Sequence, residues 1–293
     1  MQIENQSVTP SIGLGCVTFG REVDDLTAFG LMDHAYSKGI RFFDTASSYS
    51  AGGSEIIIGK WLKLNSSIAP DMTIATKISP PYSAGSIRAS VKKSLNNLGV
   101  SSLDLVLFHD WDNSIKDPEV LETIDNLTRE GSIKVSGCSN FTAAQLKYAL
   151  LKQDSAGHSR FKYIQNLHNY AVSMVDDQLI KVCNRYNVKL IIYSPLGAGF
   201  LTGKHKKQVV LGSRFDLVPA HRQIYFNDSA GHRLDILLDT ARMHQLKPED
   251  LGMAWVMNQP SISIVLVGAR NFQHIDQAFS SLNDRTCNAL KVM

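Results

Sequence analysis

The sequence predicts an α/β chain folded as a single (β/α)8 TIM barrel, one domain over residues 1–293. Three observations carry that reading. Short apolar runs alternate with helical stretches, giving eight strand candidates, the signature of a parallel sheet covered by helices. The loop after the first run, Gly13-Leu14-Gly15-Cys16-Val17-Thr18-Phe19-Gly20, lacks the G-x-G-x-x-G spacing of a doubly wound dinucleotide sheet. Polar residues close several of the apolar runs, where barrel strands deliver side chains to one pocket.

The first strand is read at Ser11–Gly15. The second, Ile40 to Asp44, leads to a helix around Ser54 to Leu64. The third, Met72 to Lys77, leads to a helix around Ser86 to Leu98. There Ile87, Val91, Leu95 and Leu98 follow a period of about 3.6. The fourth, Leu103 to His109, precedes a helix from Pro118 to Arg129, with proline suited to the first turn. Strand Ile133 to Cys138 leads to a helix from Thr142, whose hydroxyl can cap it. Strand Tyr163 to Gln165 leads to a helix at Met174 to Tyr186. Strand Val188 to Tyr193 is followed by a long loop and helices at Gly231 to His244 and Pro248 to Asn258. The last strand is Ile262 to Val267, with a helix at Phe272 to Leu282.

Composition is that of an ordinary globular chain: 44% hydrophobic, 19% charged, net charge +3. The basic cluster Lys204-His205-Lys206-Lys207 is too short to suggest a nucleic-acid partner; a solvated loop or a cofactor phosphate suits it better. The four cysteines, Cys16, Cys138, Cys183 and Cys287, show no C-x-x-C spacing, so neither zinc nor a disulfide framework is expected. No run reaches the ~18 apolar residues of a membrane span, and Met1 to Gln6 has no signal-peptide pattern. The expectation is a cytoplasmic protein with a small-molecule partner. Nothing marks an interface, so monomer and homo-oligomer both stay open.

Asp44, Lys77 and His109 end successive strands, and Tyr49 follows Asp44 by five residues. Each has an ordinary use: a helix cap, a snorkelling lysine, a structural histidine, a surface tyrosine. All four together are the equipment for polarising and protonating a carbonyl. A free phenol, with a pKa near ~10, is a poor acid at neutral pH. An adjacent Lys77 ammonium is expected to lower it, with Asp44 as counter-ion. His109 is expected to orient the carbonyl through a hydrogen bond.

These residues resemble those of the aldo-keto reductase superfamily. The likeness runs from about Ser11 to Leu282 through Gly13-Leu14-Gly15, Phe43-Asp44-Thr45-Ala46, Tyr49, Gly53-Ser54-Glu55 and Ala75-Thr76-Lys77. It continues through Phe108-His109, Gly137-Cys138-Ser139-Asn140-Phe141, Gln165, Tyr193-Ser194-Pro195-Leu196-Gly197, Leu201-Thr202-Gly203-Lys204 and Gly268-Ala269-Arg270-Asn271. It implies a nicotinamide cofactor, NADP(H) preferred and NAD(H) possible, with no metal. The catalytic tetrad would be Asp44, Tyr49, Lys77 and His109. Ser139, Asn140 and Gln165 would bond the carboxamide, and Tyr193 would stack on the ring. Ser194, Leu196 and Lys204 would wrap the pyrophosphate. Arg214, Gly268, Arg270 and His274 would lie near the adenosine, Arg270 at its ribose phosphate.

Several departures set further expectations. His274 and Ala278 stand where the family often has glutamine and asparagine, which weakens the adenine grip. His168 replaces an aromatic and is read as structural. Cys16 and Cys138 are read as buried and inert. The segment before Ser11 is short, so a hairpin plugging the barrel bottom is expected to be trimmed, and a long C-terminal lid is expected to be absent. Specificity would then rest on Asp110 to Ser114 and on the insertion from about Val209 to His232, with Phe215, Tyr225 and Phe226. Trp111 and Phe19 are expected pocket walls. An open pocket would admit sugars or other bulky carbonyl compounds. Two alternatives stand beside reduction. One is an NAD(P)-dependent sugar 1-dehydrogenase, suggested by His109-Asp110-Trp111-Asp112; the other is a nucleotide-sensing, non-catalytic regulatory subunit.

Overall fold

The structure is a computed structural model that describes residues 10–293. Eight parallel strands close into one barrel in chain order: β1 Ser11–Gly15, β2 Phe42–Asp44, β3 Thr73–Ile78, β4 Leu103–Phe108, β5 Ile133–Ser139, β6 Tyr163–Leu167, β7 Lys189–Tyr193 and β8 Ile262–Gly268. Helices connect them and form the outer ring. The predicted fold class is the observed one. The expectations for residues 1–9, including the trimmed hairpin, lie outside the described residues. Among the described residues no helix is long and apolar enough to cross a membrane.

Two layers of apolar packing hold the barrel. Phe42, Ala75, Leu105, Leu107, Ile191 and Leu266 fill its interior. A larger layer, including Leu14, Phe43, Ile74, Val106, Ile164 and Ile192, packs the outer sheet face against the helices. Side chains alternate between faces of a strand. The inward row therefore runs Phe42 then Asp44, Ala75 then Lys77, and Leu105 and Leu107 then His109. Register places these rows side by side, with Gly15 opposite both Asp44 and Gly268, Asp44 opposite Ala75, and Ser139 opposite Gln165. The apolar interior thus ends in a polar rim at the C-terminal ends of the strands.

Local signals explain most helix boundaries. Thr142 caps Ala143–Ala156, and Gln145 returns a bond to the Thr142 backbone. Pro118 opens Pro118–Arg129 behind the Asp117 cap. The helix after β6 begins at Asp177 rather than Met174, because Asp176 accepts the backbone N–H of Leu179 at 2.7 Å. The helix after the long loop spans Asp228–Met243, starting earlier than expected behind the Asn227 cap. Helices Asp25–Ser37 and Asp284–Leu290 have no counterpart in the sequence reading. The first buries Ala28, Leu31, Met32 and Ala35 at helical spacing. Apolar Leu26 and Phe29 lie off that stripe, Leu26 exposed, and blur it in the sequence.

The interior is filled tightly enough to require glycine on β5. A Cβ at Gly137 would lie 2.3 Å from the Tyr163 carbonyl oxygen and 2.7 Å from Leu107 Cδ2. A backbone oxygen cannot turn aside as a side chain can. Gly137→Ala is therefore expected to cost at least the ~1–3 kcal/mol typical of overpacking. Urea unfolding checks this, and an unchanged midpoint would show that β5 and β6 separate more easily than their contact suggests.

Candidate active site

Lys77 is the buried centre of the rim, with 1% of its side chain exposed. Its Nζ donates to both Asp44 oxygens, at 2.8 and 2.6 Å, and to the Thr45 carbonyl at 2.9 Å. It also lies 3.4 Å from the Tyr49 hydroxyl. Gln165 Nε2 donates to Asp44 Oδ1 at 2.7 Å, so the carboxylate is held from two sides. Burial alone would drive the lysine toward its neutral form. Asp44 and Tyr49 more than offset this, and the Lys77 pKa is raised above its ordinary value.

Tyr49 enters from the loop after β2 and lies half-buried. Its ring meets that of His109 edge-on, with centroids 5.8 Å apart. Burial raises the Tyr49 pKa above the ordinary phenol value; Lys77 opposes this without overcoming it, and Asp44 adds to the rise. The expectation of a lowered phenol pKa is therefore corrected. Desolvation of the ring outweighs the ammonium, whose charge Asp44 already answers. Burial, and then Lys77, lower the His109 pKa. The imidazole is neutral at pH 7 and retains one N–H. Its Nδ1 lies 3.5 Å from Ser48 Oγ.

A cavity of about 970 Å³ opens above these groups. Tyr49, His109 and Asp44 line it, whereas Lys77 sits beneath them. All the residues predicted to hold a cofactor line the same cavity: Ser139, Asn140, Gln165, Tyr193, Ser194, Leu196, Lys204, Arg214, Gly268, Arg270 and His274. Asn140 spends both N–H groups, donating to the His109 carbonyl at 3.1 Å and to Asp110 at 2.9 Å, and keeps acceptor capacity on Oδ1. Its Oδ1 accepts the Tyr193 hydroxyl at 2.8 Å. At the far end, the Arg270 backbone N–H donates to His274 Nδ1. Burial first, and then Arg270 and Lys204, lower the His274 pKa. Three basic side chains thus meet there. The space beside Gly268 is open, with no atom within 4 Å of where a Cβ would stand. A cavity this large, with an aromatic near the tetrad and a basic far end, fits an extended dinucleotide.

Two predicted residues stand elsewhere than expected. Phe19 is fully buried in the core, and Trp111 packs edge-on against Phe141 and Tyr148; neither lines the cavity. Arg214 lines the same cavity, with its guanidinium 3.8 Å from Glu22. The sequence reading missed Glu22, which shares the cavity with His221, Ile224 and Tyr225 from the Val209 to His232 insertion. It also missed the work of Gly53-Ser54-Glu55. Ser54 accepts from Thr45 at 2.8 Å and donates to the Cys16 carbonyl at 2.9 Å. Glu55 accepts from Thr76 at 2.6 Å and from Asn97 at 2.9 Å. One helix start thereby ties the ends of three strands. His168 is buried and bonded to Ser173 at 2.7 Å, as a structural residue should be.

A parallel barrel whose strand ends gather a buried lysine–carboxylate pair, a tyrosine and a neutral histidine beside a dinucleotide-sized cavity has the layout of a carbonyl oxidoreductase. Comparison with known proteins supplies the family. The sequence profile described as "Aldo/keto reductase family" matches residues 11–288, and the chain belongs to that family. It is 27% identical over 285 residues to the uncharacterized oxidoreductase YrpG of Bacillus subtilis, covering 89% of this chain and 84% of that protein. It is 28% identical over 292 residues to norsolorinic acid reductase B of Dothistroma septosporum, covering 92% and 73%. It is 27% identical over 310 residues to protein tas of Escherichia coli, covering 93% and 89%. Family membership supports an oxidoreductase of carbonyl compounds that uses a nicotinamide cofactor.

Because the folded-state pKa of Lys77 is raised, its ion pair contributes fully to stability below the ordinary lysine value of 10.5 and loses that contribution as pH rises through the raised value. Lys77→Met leaves Asp44 buried without its counter-ion. The expected cost at neutral pH is ~3–5 kcal/mol by urea unfolding, with partial recovery on adding Asp44→Asn. A Lys77→Met variant as stable as the wild type would show that the pair is not the rim's anchor.

Proposed function

We propose that this chain is an NADPH-dependent reductase of aldehydes or ketones, with Tyr49 as the general acid. The observation that carries this reading is the Tyr49 hydroxyl on the cavity wall, 3.4 Å from the buried Lys77 ammonium. A bound reduced nicotinamide supplies the hydride. The chain supplies position, a proton and a place for developing negative charge. Tyr49 holds its proton at neutral pH and gives it from the phenolic oxygen to the carbonyl oxygen. The Lys77 ammonium then stabilises the phenolate left behind. Its effect therefore falls where charge develops rather than on the resting phenol.

His109, neutral by burial, orients the carbonyl. If Ser48 Oγ donates to Nδ1, the imidazole hydrogen sits on Nε2, free for the substrate. Ser139, Asn140 and Gln165 would hold the carboxamide, and Tyr193 would face the ring. Gln165 spends one of its two N–H groups on Asp44, which leaves the other N–H and the carbonyl oxygen for the two ends of a carboxamide. Ser194, Leu196 and Lys204 would follow the pyrophosphate. Arg270, His274 and Gly268 would meet the adenosine end. The basic cluster there favours the extra phosphate of NADPH.

Three measurements test this reading. Tyr49→Phe is expected to cut kcat for a simple aldehyde by about 10²-fold or more, with NADPH affinity nearly unchanged. Near-normal turnover would remove the proposed role. The rate of reduction should hold through neutral pH and fall only above the ordinary phenol value of 10.0, since the Tyr49 proton is lost there or later. A fall centred near neutrality would assign the proton to another group. Arg270→Ala should weaken NADPH binding by about 10-fold or more and NADH binding much less, in a fluorescence titration. Equal losses for both would point away from the ribose phosphate.

A further inference from the structure

The backbone around His109 is held at every polar group. Its N–H donates to the Ile78 carbonyl at 2.9 Å. Its carbonyl accepts from Asn140 Nδ2 at 3.1 Å. The next N–H, that of Asp110, donates to the Tyr82 hydroxyl at 3.3 Å, and the hydroxyl donates in turn to the Asp110 carbonyl at 2.8 Å. The peptide between His109 and Asp110 is therefore gripped on both edges. An amide just past β5 takes one edge, and a phenol from the loop after β3 takes the other. The imidazole itself is held loosely. Among the described residues its one hydrogen-bond contact is Ser48 Oγ at 3.5 Å, longer than an ordinary bond.

Tyr82 is buried and does not line the cavity. Its ring meets Phe108 edge-on, with centroids 4.6 Å apart, and its backbone N–H donates to Ser114 Oγ at 3.1 Å. This packing accounts for the ring. The hydroxyl's partners are a separate fact, since it bonds both polar groups of the residue after His109. Burial raises the Tyr82 pKa, so the hydroxyl keeps its proton and donates throughout the working range. The two sides of the grip differ. Asn140 answers to two places, because it also lines the cavity. Tyr82 answers only to the turn after β4.

We infer that Tyr82 is a positioning residue for the reaction: its hydroxyl, with the Asn140 amide, clamps the peptide after His109 and so aims the imidazole at the substrate carbonyl. The inference rests on the reductase reading above and adds to it a residue outside the cavity. Two side-chain torsions separate the imidazole from the clamped backbone, and the ring's own contacts are weak, so the aim of the ring is set by the peptide. Such aim matters to the rate, since a misplacement of ~1 Å can cost about 10²-fold.

The test removes the hydroxyl and keeps the ring. With NADPH and a simple aldehyde, Tyr82→Phe should lower the single-turnover rate by about 10-fold and change NADPH affinity by less than about 2-fold. In a His109→Gln background the same change should cost less than about 2-fold, because the group that Tyr82 positions is gone. A second arm needs no turnover. The His109 imidazole C–H signal in proton NMR, identified among nine histidines by its loss in His109→Gln, should shift in Tyr82→Phe. Ser114→Ala, which frees the Tyr82 backbone instead, should show the same pattern at smaller size, and stands in if Tyr82→Phe does not fold. Equal losses of rate with and without His109 would show a merely structural role and overturn the inference. An unmoved His109 signal with an unchanged rate would overturn it too, and leave the reductase reading intact. Absence of turnover by the wild type with NADPH bound would bring down the reductase reading, while the His109 signal would still judge the clamp.

Discussion

The rim of this barrel depends on one ion pair. Lys77 has only 1% of its side chain exposed, a position that a lone ammonium could not hold in its charged form. Asp44 makes the charge tolerable with two short contacts, and the Thr45 carbonyl takes a third N–H. Tyr49 and Gln165 are then placed by what the pair leaves free. The phenol approaches the ammonium, and the amide caps the carboxylate. Remove the pair, and β2, β3 and β6 lose the polar contacts that align their ends.

The same pair sets the electrostatics. Because Asp44 already answers the Lys77 charge, the ammonium cannot pull the resting phenol below its ordinary pKa. Burial decides that balance. An acid of this kind stays protonated until charge develops on its oxygen, and only then does the full Lys77 interaction count. His109 follows the same logic, since burial and Lys77 together keep its imidazole neutral.

The strands were legible because a strand buried on both faces reads as a short apolar run, and three of the tetrad because polar residues close such runs. Apolar runs mark the strands, and inward parity carries Asp44, Lys77 and His109 to one rim. The Thr142 cap and the Pro118 helix start were legible for a similar local reason. Phe19 and Trp111 were not. Both stand close to site residues in sequence, yet Phe19 turns into the core under a tight loop and Trp111 finds Phe141 and Tyr148. Glu22 stands in a turn and His221 ends a single 3-10 turn, neither with a readable period, so only the fold brings them to the cavity. Arg214 lies on the segment that the family resemblance assigns to the adenosine, and its actual neighbours depend on how the long loop returns. Helix Asp25–Ser37 escaped notice because apolar Leu26 and Phe29 outside its buried stripe blur the pattern.

The central claim is that burial outweighs Lys77, so that Tyr49 remains a protonated acid throughout the working range. An ultraviolet difference titration of the wild type against Tyr49→Phe isolates this one phenol among nine tyrosines. The account predicts that the missing transition lies above the ordinary value of 10.0. A transition below it would mean that the ammonium governs the resting phenol, and would contradict the balance described for the rim.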